Sequence, residues 1–334
     1  MCKQYTQLTI KERYTIEYLK QEGQTQNYIA DKLGRDKSTI YRELNRNKDD
    51  DGIYHAEIAE ISAKNRCKRE KFRNFTEQAK SEIEEKLIIR WSPEEISAHL
   101  KNKLNINISY ELIYQYLVFD RAQGGELYKL LPHRGEKYKN RNIKTRRRVW
   151  KEAKTRKLID IRPSVVAEKS EIGHWEGDTV ESKGHQGGIG TFVDIKSKYL
   201  IIRKVNDKSS LEMKNAVVGA FEHYSDIVKT MTLDNGTEFA LHDQIEEELK
   251  TQVYFAHPYS PWERGLNENT NGLIRKFYPK GTDFSEVTNN DLLQVQNLIN
   301  NRPRKSLNYK TPKEVLYQDL LSSNSYSKIL KAVS

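Results

Sequence analysis

The sequence predicts a multidomain protein in which helical, helix-turn-helix domains precede an α/β domain. The chain of 334 residues is longer than one ordinary domain. Apolar residues recur with a helical period over residues 9–47, whereas residues 188–205 are rich in the β-branched and aromatic side chains of strands. A basic segment, 128–157, lies between these two patterns. Together these observations indicate helical domains, a linker and an α/β domain, in that order.

The first 50 residues predict three short helices, with breaks at Gly23 and Gly34. Segments 26–33 and 37–46 fit a helix-turn-helix, whose second helix enters the major groove of DNA. The residues of that helix predicted to contact DNA are Lys37, Ser38, Thr39, Arg42 and Arg46. An ordinary three-helix bundle would give the same pattern, so this motif alone leaves both interpretations open.

A second helical unit is predicted within residues 51–127. Ser92, Pro93 and Glu95 form a capping box with proline at the first helical position, which is a strong helix start. Ser109 caps a second helix over 110–118, and the pair fits another helix-turn-helix. The charged stretch 56–71 predicts a spacer helix between the two units.

The basic linker is assigned to residues 128–165. Its segment 128–157 holds thirteen Lys or Arg against two acidic residues, so it accounts for the whole net charge of +10. A solvated linker explains such a run, but one block carrying the whole excess is also typical of a nucleic-acid contact. Arg146, Arg147 and Arg148 are the residues predicted to contact DNA phosphates.

Composition excludes several other classes of protein. The mean hydropathy is −0.84, and no apolar run approaches the ~18 residues of a membrane helix. The start of the chain does not resemble a secretory signal. Two cysteines, Cys2 and Cys67, form neither a disulfide framework nor a zinc site with the histidines, so zinc is not predicted. We therefore expect a cytoplasmic protein without a membrane partner.

The C-terminal half predicts a mixed sheet covered by helices. Strands are expected at 175–181, at 228–233, at 252–256 and in a hairpin over 188–205 that turns at 196–198. Helices are expected between the later strands and after the last one. The order β-β-β-α-β-α-β-α indicates an α/β domain.

Three acidic residues of this half stand where acids are structurally costly. Asp178 interrupts a strand, Asp234 ends one, and Glu268 lies at the start of a helix. Individually, Asp234 also fits a turn residue and Glu268 a solvated helix face. Together they match phosphodiester chemistry, in which carboxylates hold two Mg²⁺ ions. Helical spacing places Arg264, Asn271 and Arg275 on the face of Glu268, while Glu263 lies on another face.

These residues lie within recognisable motifs: Gly173-His-Trp-Glu-Gly-Asp178, Leu233-Asp-Asn-Gly-Thr-Glu-Phe239 and the run from Pro258 to Arg275. The chain closely resembles the IS-thirty family of bacterial insertion-sequence transposases, which are DDE recombinases. The resemblance extends from the N-terminal helix-turn-helix to Asn301-Arg-Pro-Arg304. Thirty-three residues separate Asp234 from Glu268, as in the family.

The resemblance implies an RNase H-like (integrase-type) catalytic domain over 166–320, followed by a tail at 321–334. It implies that Asp178, Asp234 and Glu268 are catalytic and bind two Mg²⁺ ions, with Mn²⁺ as the alternative ion. Arg264 and Arg275 are then expected to contact DNA. The expected partners are double-stranded DNA, as terminal inverted repeats and target, and a second copy of the chain in a homodimer or larger oligomer. The expected location is the bacterial nucleoid.

Two other functions remain open from the sequence. A nuclease of the same fold would hydrolyse DNA without joining it. A DNA-binding repressor derived from a transposase would be expected to have lost a carboxylate, and all three acids are present here.

Overall fold

The computed structural model describes residues 6–49, 52–71, 75–131, 156–185, 187–222, 224–258 and 260–322. The chain divides into two compact units, Met1–Lys80 and Ser81–Ser334. The linker residues Arg146, Arg147 and Arg148 lie outside the described residues, as does the predicted tail 321–334 from residue 323 onward. Among the residues described, no helix is both long and apolar enough to cross a bilayer.

The first unit is helical, and its predicted helices are confirmed. It contains α1 (Ile10–Gln21), α2 (Gln26–Leu33), α3 (Lys37–Asn47) and α4 (Ala56–Lys71). Thr9 and Glu12 form a capping box on α1, and Asp36 caps α3 by accepting from the Ser38 N–H. Gly34 ends α2 with a φ of 62°, a left-handed conformation that suits glycine.

The first unit buries a charged network beside its apolar core. Ile16, Ile29 and Ile40 pack together in that core. Arg13 is buried next to them, and it lies 2.7 Å from Glu43 and 2.6 Å from Glu60. A buried charge is tolerated when it is paired in this way, so the network fixes α1 against α3 and α4.

The second unit begins with three helices, of which sequence analysis missed the first. They are α5 (Glu77–Ile88), which crosses the division between the units, α6 (Pro93–Leu104) and α7 (Tyr110–Ala122). The predicted capping box at the start of α6 is present, because Glu95 N donates to Ser92 Oγ and Ser92 N donates to Glu95 Oε2.

A five-stranded mixed sheet forms the centre of the second unit. Its strands are β1 (His174–Glu181), β2 (Gly188–Asp194), β3 (Leu200–Val205), β4 (Thr230–Leu233) and β5 (Gln252–Phe255). They lie in the order β3-β2-β1-β4-β5, with β1, β2 and β3 antiparallel and β1, β4 and β5 parallel. The helices of this region are α8 (Ser164–Glu168), α9 (Ser210–Phe221), α10 (His242–Leu249), α11 (Gly265–Ile274), α12 (Asn289–Asn300) and α13 (Pro312–Ser322).

Helices cover both faces of the sheet. Phe192 and Ile201 pack in one core with residues of α9, α10 and α13. Their neighbours Val193 and Ile202 pack in a second core with α11 and α12. Successive strand residues point to opposite faces, so the two cores define a helix–sheet–helix arrangement. The predicted α/β class is confirmed, and α11 is placed against the strands that carry the acidic residues.

Candidate active site

Asp178 lies in β1, and Asp234 directly follows the neighbouring parallel strand β4. The pairing of β1 with β4 runs from His174 opposite Thr230 to Glu176 opposite Thr232. Continuing that register by two residues places Asp178 beside Asp234, at the end of β4. Because side chains alternate along a strand, the offset of two keeps both carboxylates on one face. The sheet thus brings together two acids that are 56 positions apart in sequence.

One guanidinium group bridges the two carboxylates. Arg264 Nη1 lies 3.2 Å from Asp178 Oδ1, and its Nη2 lies 3.5 Å from Asp234 Oδ2. Asn271, two turns further along, donates from Nδ2 to Asp178 Oδ2 at 2.7 Å. The helical face predicted for Arg264 and Asn271 is therefore directed at Asp178. Asn271 is itself oriented by Thr191, whose hydroxyl lies 3.2 Å from Asn271 Oδ1.

The electrostatic environment favours a cation at this point. Burial raises the pKa of Asp178; the charge of Arg264 opposes that shift, and the charge of Asp234 adds to it. Burial also raises the pKa of Glu238, and the charges of Asp234 and Asp178 add to that effect. Three carboxylates thus interact electrostatically here. Glu238 was not predicted as a site residue, although it stands four residues after Asp234 in the motif Leu233-Asp-Asn-Gly-Thr-Glu-Phe239.

The turn after β4 fixes the position of Asp234. Gly236 N donates to Asp234 Oδ1 at 2.9 Å, and Asn235 Nδ2 donates to the Ala256 carbonyl. A Cβ atom on Gly236 would lie 2.2 Å from Glu238 Oε2 and 2.8 Å from Asp234 Oδ1. A larger residue here would therefore displace the Glu238 and Asp234 carboxylates from their positions beside the turn.

Arg156, at the end of the basic linker, supports the same turn. Its Nη2 donates to the Gly236 carbonyl at 3.1 Å, and its guanidinium lies 4.5 Å from the centre of the Phe255 ring. The carbonyl of the adjacent Lys157 accepts a hydrogen bond from Phe255 N. This bond attaches the linker to the edge of β5. Sequence analysis missed this role, because Arg156 lies inside a long charge run with no feature that sets it apart.

Glu268 lies on α11 between Arg264 and Asn271, and its side chain is exposed. Within the described part of the chain, no group of three His, Cys, Asp or Glu side chains is arranged to hold a metal ion. The structure therefore brings together Asp178 and Asp234, and not the carboxylate of Glu268. Arg275 turns away from the acids and donates to the Glu181 and Pro279 carbonyls.

Glu263 is held by its own loop. It accepts from His257 N at 2.8 Å, and His257 Nδ1 lies 2.9 Å from Glu263 Oε1. On its other side, His257 Nε2 lies 2.8 Å from Asp160. The hydrogen bond with Glu263 raises the pKa of His257. Glu263 thus stabilises the loop through its hydrogen bonds with His257. It is not a first-turn acid of α11, which begins at Gly265.

The site opens into a cleft of about 300 Å³, lined by Asp234, Asn235, His257, Ser260 and Arg264 among others. Its donor set fits a divalent ion, because Mg²⁺ prefers carboxylate oxygens and these two carboxylates already share one cationic partner. The side chains of Asp178 and Asp234 keep 22% and 31% of their exposure, so solvent ions reach them.

The residues predicted to contact DNA in the first unit lie on an open face of α3. Lys37, Ser38, Arg42 and Arg46 are exposed, and Thr39 is half-buried. Arg42 folds back along the helix, donating from Nε to the Ser38 carbonyl and from Nη2 to Ser38 Oγ.

Comparison with known proteins places the chain in a family. A helix-turn-helix domain model matches residues 4–47, and an integrase core domain model matches residues 168–261. The transposase of insertion sequence element IS4351 from Bacteroides fragilis is 39% identical over 95% of this chain and 97% of its own length. The InsI transposase of element IS30C from Escherichia coli is 35% identical over 92% of this chain and 83% of its own. The chain belongs to the IS-thirty family of insertion-sequence transposases.

The predicted function class is thereby confirmed. As a member of this family the chain is a DNA transposase, with a DNA-binding helix-turn-helix domain and an integrase core that transfers polynucleotide strands. Integrase cores use divalent metal ions. The catalytic core domain of BIV integrase matches 46% of this chain and 98% of that domain at 17% identity, with a TM-score of 0.37. That TM-score is too low to carry an argument about this transposase.

Proposed function

We propose that this transposase binds the terminal inverted repeats of its element and joins the element's ends to target DNA. We place this reaction in the site formed by Asp178 and Asp234. The observation that carries the proposal is the placement of these two carboxylates at one level of the sheet, bridged by Arg264. The residues that we propose to hold the metal are Asp178, Asp234 and Glu268. Two Mg²⁺ ions, or Mn²⁺ in their place, would activate the attacking oxygen and stabilise the leaving one.

The surrounding side chains have separate roles in this proposal. Asn271 keeps one oxygen of Asp178 oriented, and the turn at Gly236 keeps Asp234 in place. Arg264 neutralises the two acids before DNA arrives, and its guanidinium is then available to a phosphate oxygen, which it binds well. Arg264 thus joins the acidic site to the DNA backbone.

The reaction consists of two displacements at phosphorus. In the first, water attacks a phosphodiester at the element's end, and the bond to the 3′-oxygen breaks to release a 3′-hydroxyl. In the second, that hydroxyl attacks a phosphodiester of the target, so one P–O bond forms as another breaks. No ATP and no covalent bond to the protein is required. Two ends must be processed together, which supports a homodimer or a larger oligomer as the working form.

A strand-transfer assay tests this function. Wild-type protein, Mg²⁺, target plasmid and a labelled duplex carrying the element's end are expected to yield a joined product. Cleaved ends without a joined product would contradict the proposal in favour of a nuclease that only hydrolyses. Binding without cleavage would favour a transposase-derived repressor.

Replacing Arg42 by alanine is expected to reduce sequence recognition. Arg42 lies on the open face of α3, where a side chain reads base edges in the major groove. Loss of one base contact costs roughly 1–3 kcal/mol, so preference for the terminal repeat over random DNA should fall about tenfold. Competition gel shifts measure this ratio, with the exposed Lys11→Ala on α1 as the control. An unchanged ratio for Arg42→Ala would contradict the assignment of α3.

Replacing Arg146, Arg147 and Arg148 together by alanine is expected to weaken binding to all DNA. A basic run contacts phosphates rather than base edges. The measured quantity is the slope of log affinity against log salt concentration. Each lost phosphate contact reduces the size of this slope by about 1, so the triple variant should reduce it by up to roughly 3. Titrations at several salt concentrations, on terminal and random duplexes, measure both quantities. A variant that lost its preference for the repeat while keeping its affinity for random DNA would contradict the prediction.

A further inference from the structure

A second charged cluster lies where α6 meets the segment after α12. It consists of Arg90, Lys276, Arg302, Arg304 and the single acid Glu95, and we name it the junction cluster. Arg302 is 3% exposed and binds Glu95 with two nitrogens: Nε to Oε1 at 2.8 Å and Nη2 to Oε2 at 2.6 Å. Its Nη1 donates to the Arg90 carbonyl at 2.6 Å.

Glu95 directs its hydrogen bonds to Arg302 and Ser92. Besides both bonds to Arg302, its Oε2 accepts from Ser92 N at 2.6 Å and from Ser92 Oγ at 2.9 Å as part of the capping box. The hydrogen bonds of this carboxylate thus come from one arginine and from the start of α6, and none comes from Lys276 or Arg304 among the residues described.

Arg304 and Lys276 remain as cations without a carboxylate partner among the residues described. The Nε of Arg304 is buried and has no acceptor within the described structure. Burial lowers the pKa of Lys276 to about 8, and the charges of Arg302, Arg304 and Arg90 contribute to that shift while Glu95 opposes it. Burial, followed by the charge of Arg302, lowers the pKa of Arg304 to about 10. Both side chains are partly exposed, so a ligand reaches them.

Concentrating positive charge in a partly buried place is costly unless an anion with hydrogen-bond acceptors offsets it. A phosphodiester supplies one negative charge and two free oxygens, which match an ammonium and a guanidinium N–H. The position also suits DNA, because Lys276 lies two residues beyond the end of α11, the helix that carries Glu268.

We infer that the junction cluster binds a backbone phosphate of the DNA that occupies the active site, through Lys276 and Arg304. The inference rests on the proposed function, because it takes DNA as the ligand of the cluster. It adds a contact at the junction between α6 and the α/β region, made by residues other than the proposed metal ligands.

The test uses the full-length Lys276→Gln and Arg304→Gln variants, with Lys280→Gln as the matched control on the same segment. Lys280 is exposed and outside the cluster. Affinity for duplex DNA is measured without metal at several salt concentrations. Each cluster variant is expected to bind about five- to tenfold more weakly at low salt, with a salt slope smaller by about 1, and the control to keep its slope. Circular dichroism establishes that the variants are folded.

A charge-preserving variant separates binding from structure. Lys276→Arg should bind DNA as the wild type does at pH 7. At pH 9 it should bind more tightly than the wild type, since its guanidinium stays protonated above the pKa of Lys276. Loss of affinity at pH 7 in Lys276→Arg would contradict the inference, because it would mean that the lysine acts only through packing.

Unchanged affinity and slope in folded Lys276→Gln and Arg304→Gln would also overturn the inference. The inference would also fail if inorganic phosphate stabilised the wild type but not Lys276→Gln, while the DNA affinity of Lys276→Gln stayed unchanged. In that case the cluster would bind a free anion and not DNA. Both measurements are independent of catalysis. A wild-type protein that fails in strand transfer but shows the expected slopes would contradict the proposed function and leave the phosphate site standing.

Discussion

Replacing Glu268 by glutamine is expected to abolish both DNA cleavage and strand transfer while leaving DNA binding intact. Glu268 shares its helix face with Arg264 and Asn271, and both of these contact Asp178. Its side chain is exposed toward solvent, so the substitution removes a charge without opening a cavity. Loss of a metal-binding carboxylate should lower the rate by about 10³-fold or more, which corresponds to about 4 kcal/mol of transition-state stabilisation.

The matched control for Glu268 is Glu263→Gln. Glu263 accepts hydrogen bonds from His257 N and contacts its ring, and a glutamine oxygen keeps the backbone bond. We expect this variant to retain substantial activity. An active Glu268→Gln beside a folded but inactive Glu263→Gln would reverse the assignment of the third acid. If both variants were active, the carboxylate completing the site would lie elsewhere, and Glu238 would be the next residue to replace, because its charge interacts with Asp234 and Asp178.

Replacing Arg302 by alanine is expected to cause the largest loss of stability. The variant leaves the carboxylate of Glu95 half-buried without its two charged hydrogen bonds. Breaking one side of a buried ion pair costs about 3–5 kcal/mol. The unfolding transition of the second unit, followed by urea titration, should therefore shift to lower denaturant. The control is Lys305→Ala, whose side chain is 74% exposed and lies 3.5 Å from Glu94; it should change stability by about 0–1 kcal/mol.

The cost of Arg302→Ala should depend on pH. Burial alone would raise the pKa of Glu95, but the hydrogen bond and charge of Arg302 and the Ser92 N–H hold it below its usual value. A carboxyl with a depressed pKa contributes stability above the pKa of the unfolded chain and loses it as pH falls through the folded value. The difference between wild type and variant should thus be full near pH 7 and shrink below about pH 4.5. A difference that stayed constant down to pH 3 would contradict the role of the Glu95 charge.

Much of the fold followed from local sequence signals. The caps at Ser92 and Ser109 and the strand alternation in β2 and β3 act within a few residues, and each predicted element is present. Helices α5, α12 and α13 were missed. In α12, for example, the buried polar residues Gln296 and Asn300 accept hydrogen bonds from backbone N–H groups of β3. Because these side chains are polar, the buried face of α12 does not show the apolar pattern expected of a helix that packs on a sheet.

The site was predictable only in part, because sequence shows which acids are present and not what they contact. Asp178 and Asp194 both lie in strands, yet Asp194 is fully enclosed by hydrogen bonds from Ser197 and from Gly173 N. Asp178 instead contacts the Arg264 guanidinium and keeps 22% of its side-chain exposure. Likewise Arg264 and Arg275 share a predicted helical face, yet Arg264 contacts the acids while Arg275 donates to the Glu181 and Pro279 carbonyls. Tertiary packing decides such differences, and the spacing of residues does not reveal them.

Metal binding tests the central claim, that Asp178 and Asp234 form the metal site of this transposase. Calorimetric titration of Mn²⁺ or Mg²⁺ into the wild-type protein bound to uncleaved terminal-repeat DNA is expected to show two ions per active site. Asp178→Asn and Asp234→Asn should each weaken this binding at least tenfold while the DNA affinity stays close to that of the wild type. Wild-type metal affinity and stoichiometry in both variants would contradict the claim.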